Sequence, residues 1–209
     1  KEDKLILFRD RFGVKPLFYY YNKFTNQLIS ASEIKTILKL LNGNYSENIN
    51  AIRTYLESSL IDHSNQTFYN DIYSLDPGKL LIFDRQAKTL KKECWYNLLD
   101  NISSSYSSDY RTCYSESLDL ISETIKLYCR SDVPIGINLS GGLDSSLLTF
   151  LASKTDLNLS LFTLSYEEPY DEAPFANRLS HLGNIYTSKI NFNYFYSNIT
   201  NTIESQDQP

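Results

Sequence analysis

The sequence predicts two kinds of fold in succession, an α+β piece followed by an α/β, doubly wound parallel sheet. Three observations carry this expectation. In the first hundred residues the strand-like runs are short and joined by turn-rich segments, as Leu5 to Phe8 and Leu17 to Tyr21 are. From residue 110 onward, strand-like runs alternate with helical patterns, the order that right-handed parallel crossovers require. Between them, residues 135–150 pass from an apolar strand through a glycine turn into a helix, an arrangement that makes an anion site at the carboxyl end of a strand.

In the first half, Arg9 to Pro16 connects the first two runs, and Leu28 to Ala31 reads as a third strand. The Arg9, Asp10 and Arg11 cluster is expected to be a salt-bridged turn. Ser30 and Glu33 have capping-box spacing, and Ile34, Ile37, Leu38 and Leu41 give the following helix one apolar face. A second helix is expected over Asn50 to Leu60, using Ile52, Tyr55, Leu56 and Leu60. Asp76-Pro77-Gly78 is a turn leading into a strand over Lys79 to Phe83, and Cys94-Trp95-Tyr96 reads as a further short strand.

Asn97 to Ser108 is rich in Asn, Ser and Asp and reads as a connector, so the expected division is 1–99, a linker at 100–109, and 110–209. A helix is predicted over Tyr110 to Cys129 with Leu118, Ile121, Ile125 and Tyr128 on one face. After the strand Ile135 to Leu139, a helix starting near Ser145 should bury Leu147, Leu148, Leu151 and Ala152. Leu159 to Leu164 is a continuous apolar run, as expected of a sheet covered on both sides. A helix from Asp171 to about Gly183, a strand over Ile185 to Ile190 and a helix over Asn193 to Ser205 complete the pattern.

The stretch Leu139-Ser140-Gly141-Gly142-Leu143-Asp144-Ser145-Ser146 is the candidate site. Glycines let main-chain N–H groups approach an oxyanion, the serines add hydroxyl donors, and a helix N-terminus adds its dipole. The lysine-bearing nucleotide loop of kinases is absent, since no lysine lies between Asp132 and Lys154. Asp171 and Glu172 at a helix start read as a structural cap. His63 and His181 show no ligand spacing.

Composition narrows the classes. A hydrophobic fraction of 42% and a net charge of -5 fit a soluble globular chain with no basic surplus for nucleic acid. No apolar run reaches membrane-spanning length. Cys94, Cys113 and Cys129 form no Cys-x-x-Cys pair, so a reduced, cytoplasmic chain is expected. With no methionine, the chain is expected to lack its true N-terminus.

The glycine loop resembles the Ser-Gly-Gly-x-Asp-Ser pyrophosphate loop of the ATP pyrophosphatases. Arg9-Asp10-Arg11-Phe12-Gly13-Val14-Lys15-Pro16-Leu17-Phe18-Tyr19 resembles the Arg-Asp-Arg-x-Gly-x-Lys-Pro-Leu-Tyr-Tyr signature of class II glutamine amidotransferase domains in asparagine synthetases. Ala31-Ser32-Glu33-Ile34-Lys35, Thr67-Phe68, Leu75-x-Pro77-Gly78, Trp95, Asp132-Val133-Pro134 and the Asp171-Glu172 pair also match that family in order. The resemblance implies a class II amidotransferase piece over 1–99 and an ATP pyrophosphatase-type synthetase piece over 110–209, both truncated.

It further implies adenylation of the aspartate side-chain carboxylate by ATP, with pyrophosphate release, then amidation by glutamine-derived ammonia. Ser140, Gly141, Gly142, Leu143, Asp144, Ser145 and Ser146 would hold ATP phosphates, with Asp144 touching Mg²⁺. Leu139 and Leu164 would flank adenine, partly through their main chains. Substrates would be aspartate, glutamine and ATP, with no membrane or nucleic-acid partner, and a homodimer of the parent protein is compatible with the family.

There are departures from the pattern. Ser165 stands where the family usually has glycine, Tyr186-Thr187 where it usually has a histidine pair, and Gln208 in place of an acid. The family's N-terminal glutaminase cysteine has no counterpart at Lys1, and its second Ser-Gly-x-Gly-x-Asp-Glu loop is expected beyond Pro209. Two other readings stay open. One is a related amidotransferase acting on a surface sugar acid or closing a lactam, and the other is a non-catalytic, degenerate module.

Overall fold

The computed structural model describes residues 3–102, 109–155, 158–166, 169 and 171–206. They fall into two compact units, one built chiefly from residues 1–104 and the other from residues 105–201.

The first unit runs β1 (Lys4–Phe8), β2 (Phe18–Asn22), β3 (Gln27–Ala31), α1 (Ile34–Leu41), α2 (Ile49–Ser58), β4 (Ile72–Ser74), β5 (Lys79–Asp84) and β6 (Thr89–Cys94). Its strands pair antiparallel in two three-stranded sheets, β1-β5-β6 and β3-β2-β4. Side-chain alternation along β2 sets the layers. Phe18 and Tyr20 pack on a core of Ile29, Ile34, Ile37, Leu41 and Ile72, so α1 covers that face. Tyr19 points the other way and joins Leu75 and Leu81, with Leu7 and Leu90, between the sheets. Burial of each fully enclosed isoleucine contributes about 1.5–3 kcal/mol.

Some local expectations are corrected. Ser30 does not cap α1. It lies within β3 opposite Tyr19, its backbone committed to the sheet, and Glu33 stands at the N-cap with no side-chain bond. α2 is capped by Asn48, which accepts from the Ala51 amide, and ends at Ser58. Leu60 lies past its end, and of its apolar residues only Ala51 is buried. Cys94 ends β6, which begins at Thr89, so Trp95 and Tyr96 lie outside the strand and bond back to the Gly78 carbonyl.

The second unit contains α3 (Tyr110–Tyr128), β7 (Gly136–Asn138), α4 (Leu143–Ala152), β8 (Ser160–Ser165), α5 (Ala173–Ala176), a 3₁₀ segment (Asn177–Leu182) and β9 (Asn184–Lys189), and α6 (Phe192–Gln206) follows. The three strands are parallel in the order β7-β8-β9. They are laid down in one direction, so among the described residues the sheet is parallel but shows no reversal of winding of the kind expected of a doubly wound sheet. The expected linker at 100–109 falls largely on residues outside those described.

One face of this sheet is covered and the other open. Leu139, Ala152, Leu159, Leu161 and Ala176 form the core, with Ile125, Ile137, Leu179 and Ile185 against it. Phe162 and Leu164 point the opposite way and are nearly half exposed. The apolar run of β8 therefore does not mean a sheet covered on both faces among the described residues. α3 has no fully buried residue; Ile125 reaches the core, whereas Tyr128 is exposed. α4 starts at Leu143, earlier than expected, because Gly142 supplies the extended N-cap conformation. That start buries Thr149, Leu151 and Ala152 and leaves Leu147 and Leu148 exposed. The segment after Asp171 is a four-residue α-helix continued as 3₁₀, not one α-helix.

The Arg9–Lys15 turn also differs from expectation. Arg9 donates to the carbonyls of Leu75 (2.8 Å), Gly13 (2.9 Å) and Lys15 (3.1 Å) and to Ser74 Oγ (3.1 Å). The Asp10 carboxylate accepts the amides of Phe12, Val14 and Lys15 at 3.0–3.1 Å. Arg11 lies over the Tyr96 ring at 5.1 Å. Main-chain groups left unpaired by the turn, rather than a salt bridge, engage Arg9 and Asp10. Bonds first from the Lys15 amide and then from Val14 hold the Asp10 carboxyl below the ordinary aspartate range. A carboxyl depressed by folding adds stability that is present above its unfolded pKa and lost as pH falls through the folded value. Asp10→Ala should therefore lower the urea midpoint of the first unit at neutral pH, with the gap from wild type shrinking as pH drops through the carboxylate range.

Candidate anion-binding site

The loop between β7 and α4 takes its shape from two glycines and two serines. Leu139 anchors the end of the strand, its amide donating to the Phe162 carbonyl at 2.8 Å and its side chain lying wholly in the core. The chain then reverses through Gly141 at φ +81°. A Cβ at this position would sit 2.6 Å from the Ala176 nitrogen and from Phe175 Cβ. Neither the angle nor the space admits another residue.

Past the turn, Gly142 is the N-cap of α4 without a side-chain capping bond, and the first helical bond runs from the Ser146 amide to its carbonyl at 3.0 Å. The amides of Leu143, Asp144 and Ser145 precede that bond and find no acceptor among the described residues. They are the orphan donors of a helix start, with the positive end of the dipole behind them. Ser140 Oγ lies 3.0 Å from Ser145 Oγ and accepts the Gly142 amide at 3.3 Å, so the hydroxyls bracket the turn. Thr149 Oγ1 ties back to the Ser145 carbonyl at 2.8 Å from a fully buried position.

Asp144, in the first turn of α4, is exposed and has no hydrogen bond or ion pair among the described residues. Leu143 is 85% exposed, so it offers a ligand its main-chain N–H rather than an apolar wall.

Beside the loop lies a cleft of about 450 Å³ lined by Asn138, Leu139, Ser140, Phe162, Thr163, Leu164, Tyr166 and Glu172. Its size falls in the range of small-molecule sites, about 300–1,000 Å³. The sequence-derived residues Leu139, Ser140 and Leu164 line it together. Leu139 can offer a ligand only its main chain, whereas the Leu164 side chain is available. Asn138, Phe162, Tyr166 and Glu172 were not expected there. Asn138 was visible as the one amide in an apolar strand, and Phe162 follows from the alternation of β8 once Leu161 is known to face the core. Thr163 Oγ1 is buried with no hydrogen-bond partner among the described residues.

Of the Asp171–Glu172 pair expected to cap the helix, only Asp171 does so; Glu172 stands at the N-cap of α5 and makes no side-chain capping bond. The Asp171 carboxylate accepts the Ala173 amide at 3.0 Å, the Tyr166 amide at 3.3 Å and the Ser165 hydroxyl at 3.1 Å. No group of three or more His, Cys, Asp or Glu that could hold a metal is found among the described residues. No described helix is long and apolar enough to cross a membrane.

Comparison with known proteins gives the class first. Residues 1–96 match a glutamine amidotransferase domain and residues 116–209 an asparagine synthase domain. A protein of Methanocaldococcus jannaschii, provisionally named glutamine-hydrolyzing asparagine synthetase 2, is 36% identical over 84% of this chain and 34% of its own. The glutamine-hydrolyzing asparagine synthetase 2 of Bacillus subtilis is 30% identical over 88% of this chain and 26% of its own. An amidase of Penicillium rubens is 28% identical over 85% of this chain and 28% of its own. The chain belongs to the glutamine-hydrolysing asparagine synthetase family, and it spans about a third or less of the length of these relatives.

The geometry of the turn makes Gly141 the position least open to change. Gly141→Ala should destabilise the second unit by more than about 1 kcal/mol, since the left-handed angle alone costs an L-residue roughly 1–2 kcal/mol. Thermal unfolding of the variant against wild type measures this.

Proposed function

We propose that the second unit seats the pyrophosphate leaving group of ATP in an asparagine-forming reaction, and that the first unit belongs to a glutaminase domain supplying ammonia. The observation that carries this reading is the run of unpaired amides from Leu143 to Ser145, set at a glycine turn on the carboxyl end of a parallel strand. Such amides stabilise charge that grows on a departing phosphate without having to reorganise. Ser140, Gly141, Gly142, Ser145 and Ser146 supply the remaining donors and the room, while Leu139 and Leu164 border the place for the base.

The chemistry makes this need explicit. The aspartate side-chain carboxylate is a poor electrophile. An oxygen of that carboxylate attacks the α-phosphorus of ATP, the bond to the β-phosphate bridge breaks, and pyrophosphate departs with the electron pair. Ammonia then adds to the activated carbonyl and AMP leaves, giving asparagine. The loop acts in the first step, holding the negative charge that accumulates on the β and γ phosphates.

Mg²⁺ fits the donor set. It keeps most of its shell as water and phosphate oxygen and takes one or two protein carboxylates, and Asp144 offers one uncommitted carboxylate with serine hydroxyls nearby. Bound there, the ion would neutralise phosphate charge, and Asp144 would hold it at the turn.

A second reading is favoured by the two departures in this unit. Ser165 and Tyr186 stand where the family usually has glycine and histidine, which fits a relative that amidates a different carboxylate.

Both readings are tested by supplying the full natural chain with ATP, Mg²⁺ and glutamine and measuring pyrophosphate release with aspartate or alternative acids. Release with aspartate, with asparagine formed, supports the first reading, and release only with another acid supports the second. Asp144→Asn should lower kcat/KM by about 100-fold or more, comparable to the loss of a preorganised charge-stabilising group. Loss of less than tenfold would remove Asp144 from the site.

A further inference from the structure

We infer that Asp171 is a positioning residue for the phosphate loop, acting through Ser165 and α5; this rests on the pyrophosphate reading of the loop.

The chain of contacts is continuous. Besides the Ser140 hydroxyl bond to the Gly142 amide, the turn at Gly141 leans on atoms of α5. A Cβ at Gly141 would meet the Ala176 nitrogen and Phe175 Cβ at 2.6 Å and the Phe175 carbonyl carbon at 2.8 Å. The place of α5 therefore decides where the turn and its amides lie. A four-residue helix has too little length to fix itself. Two things fix it: Ala173 and Ala176 are buried, with Ala176 in the sheet core, and Asp171 stands at its start.

Both Asp171 oxygens are engaged. Oδ1 accepts the Ala173 amide, the first of α5, at 3.0 Å and the Tyr166 amide at 3.3 Å, and Oδ2 accepts the Ser165 hydroxyl at 3.1 Å. Ser165 is the last residue of β8, so one carboxylate ties the end of the central strand to the start of the helix that backs the glycine turn. A cap alone would need only the Ala173 bond. The two further bonds make it a clamp between elements, and the Ser165 side chain supplies one of them.

Geometry and charge can be separated at this residue. Asparagine keeps the Oδ1 acceptor for both amides, and its Nδ2 can donate to the Ser165 hydroxyl, whereas alanine removes every bond. In the full natural chain, Asp171→Ala should lower kcat/KM for ATP by about 10- to 100-fold, because small misplacement of preorganised groups is costly, while Asp171→Asn stays within about threefold of wild type. The KM for the carboxylate acceptor should not change in either variant. A residue needed only for folding would shift the melting temperature and leave kcat/KM of the folded protein, assayed well below melting, unchanged.

Equal loss in both variants would mean that the negative charge itself is used, and no loss in Asp171→Ala would mean that the loop does not depend on the clamp; either overturns the inference. Should Asp171→Ala not fold, Ser165→Ala against Ser165→Thr makes the same comparison, with loss in the first and retention in the second expected. Loss in both Ser165 variants or in neither overturns the inference. Failure of wild type to bind pyrophosphate or cleave ATP would instead refute the loop reading, so the two failures are distinct.

Discussion

The close approach of two backbones governs the second unit. At Gly141 the chain takes a left-handed turn with its α-carbon against the main chain of Phe175 and Ala176, a gap in which no side chain can be placed. Because the turn is held there, α4 begins at Leu143, and the amides of its first turn are left without a side-chain cap. The core beneath it, with Leu139, Leu161 and Ala176 fully buried, keeps strand and helix at fixed separation. A loop intended to stabilise charge in a leaving group must be rigid before the charge appears, and this packing is a way of making it so without long side chains.

The first unit meets a similar requirement by different means. Its Arg9–Lys15 turn is held by one guanidinium spread over three carbonyls and one carboxylate spread over three amides. There, ionisable side chains take up the main-chain groups that a tight reversal leaves unpaired. Asp109 does the same at the start of α3, where the Thr112 hydroxyl and then the Thr112 amide hold its carboxyl below the ordinary range. Charged residues in this chain are thus read wrongly if each is sought a partner of opposite sign.

Much of the architecture was legible in the sequence. Alternation gave the strands, and the spacing of Ile34, Ile37 and Leu41 gave a helix whose buried face is the one observed. The glycine turn was legible because Gly141 and Gly142 follow a short strand. What misled was local spacing without context. Ser30 and Glu33 have capping-box spacing, yet strand pairing claims Ser30. Leu147 and Leu148 have helical spacing, yet a start at Leu143 rotates them outward. The apolar run of β8 could not say that only one face is covered, since Phe162 and Leu164 are as hydrophobic as Leu161.

The sequence by itself determined the residue types of the site and their order, because a strand, a glycine turn and a helix start are local properties of a short stretch. Only the tertiary structure decided that Asp144 is left without a partner among the described residues, that Leu139 can meet a ligand by its main chain alone, and that Asp171 reaches Ser165 and Tyr166 as well as its own helix. Those facts depend on which atoms from distant positions come within bonding distance, and a one-dimensional pattern carries no record of such distances.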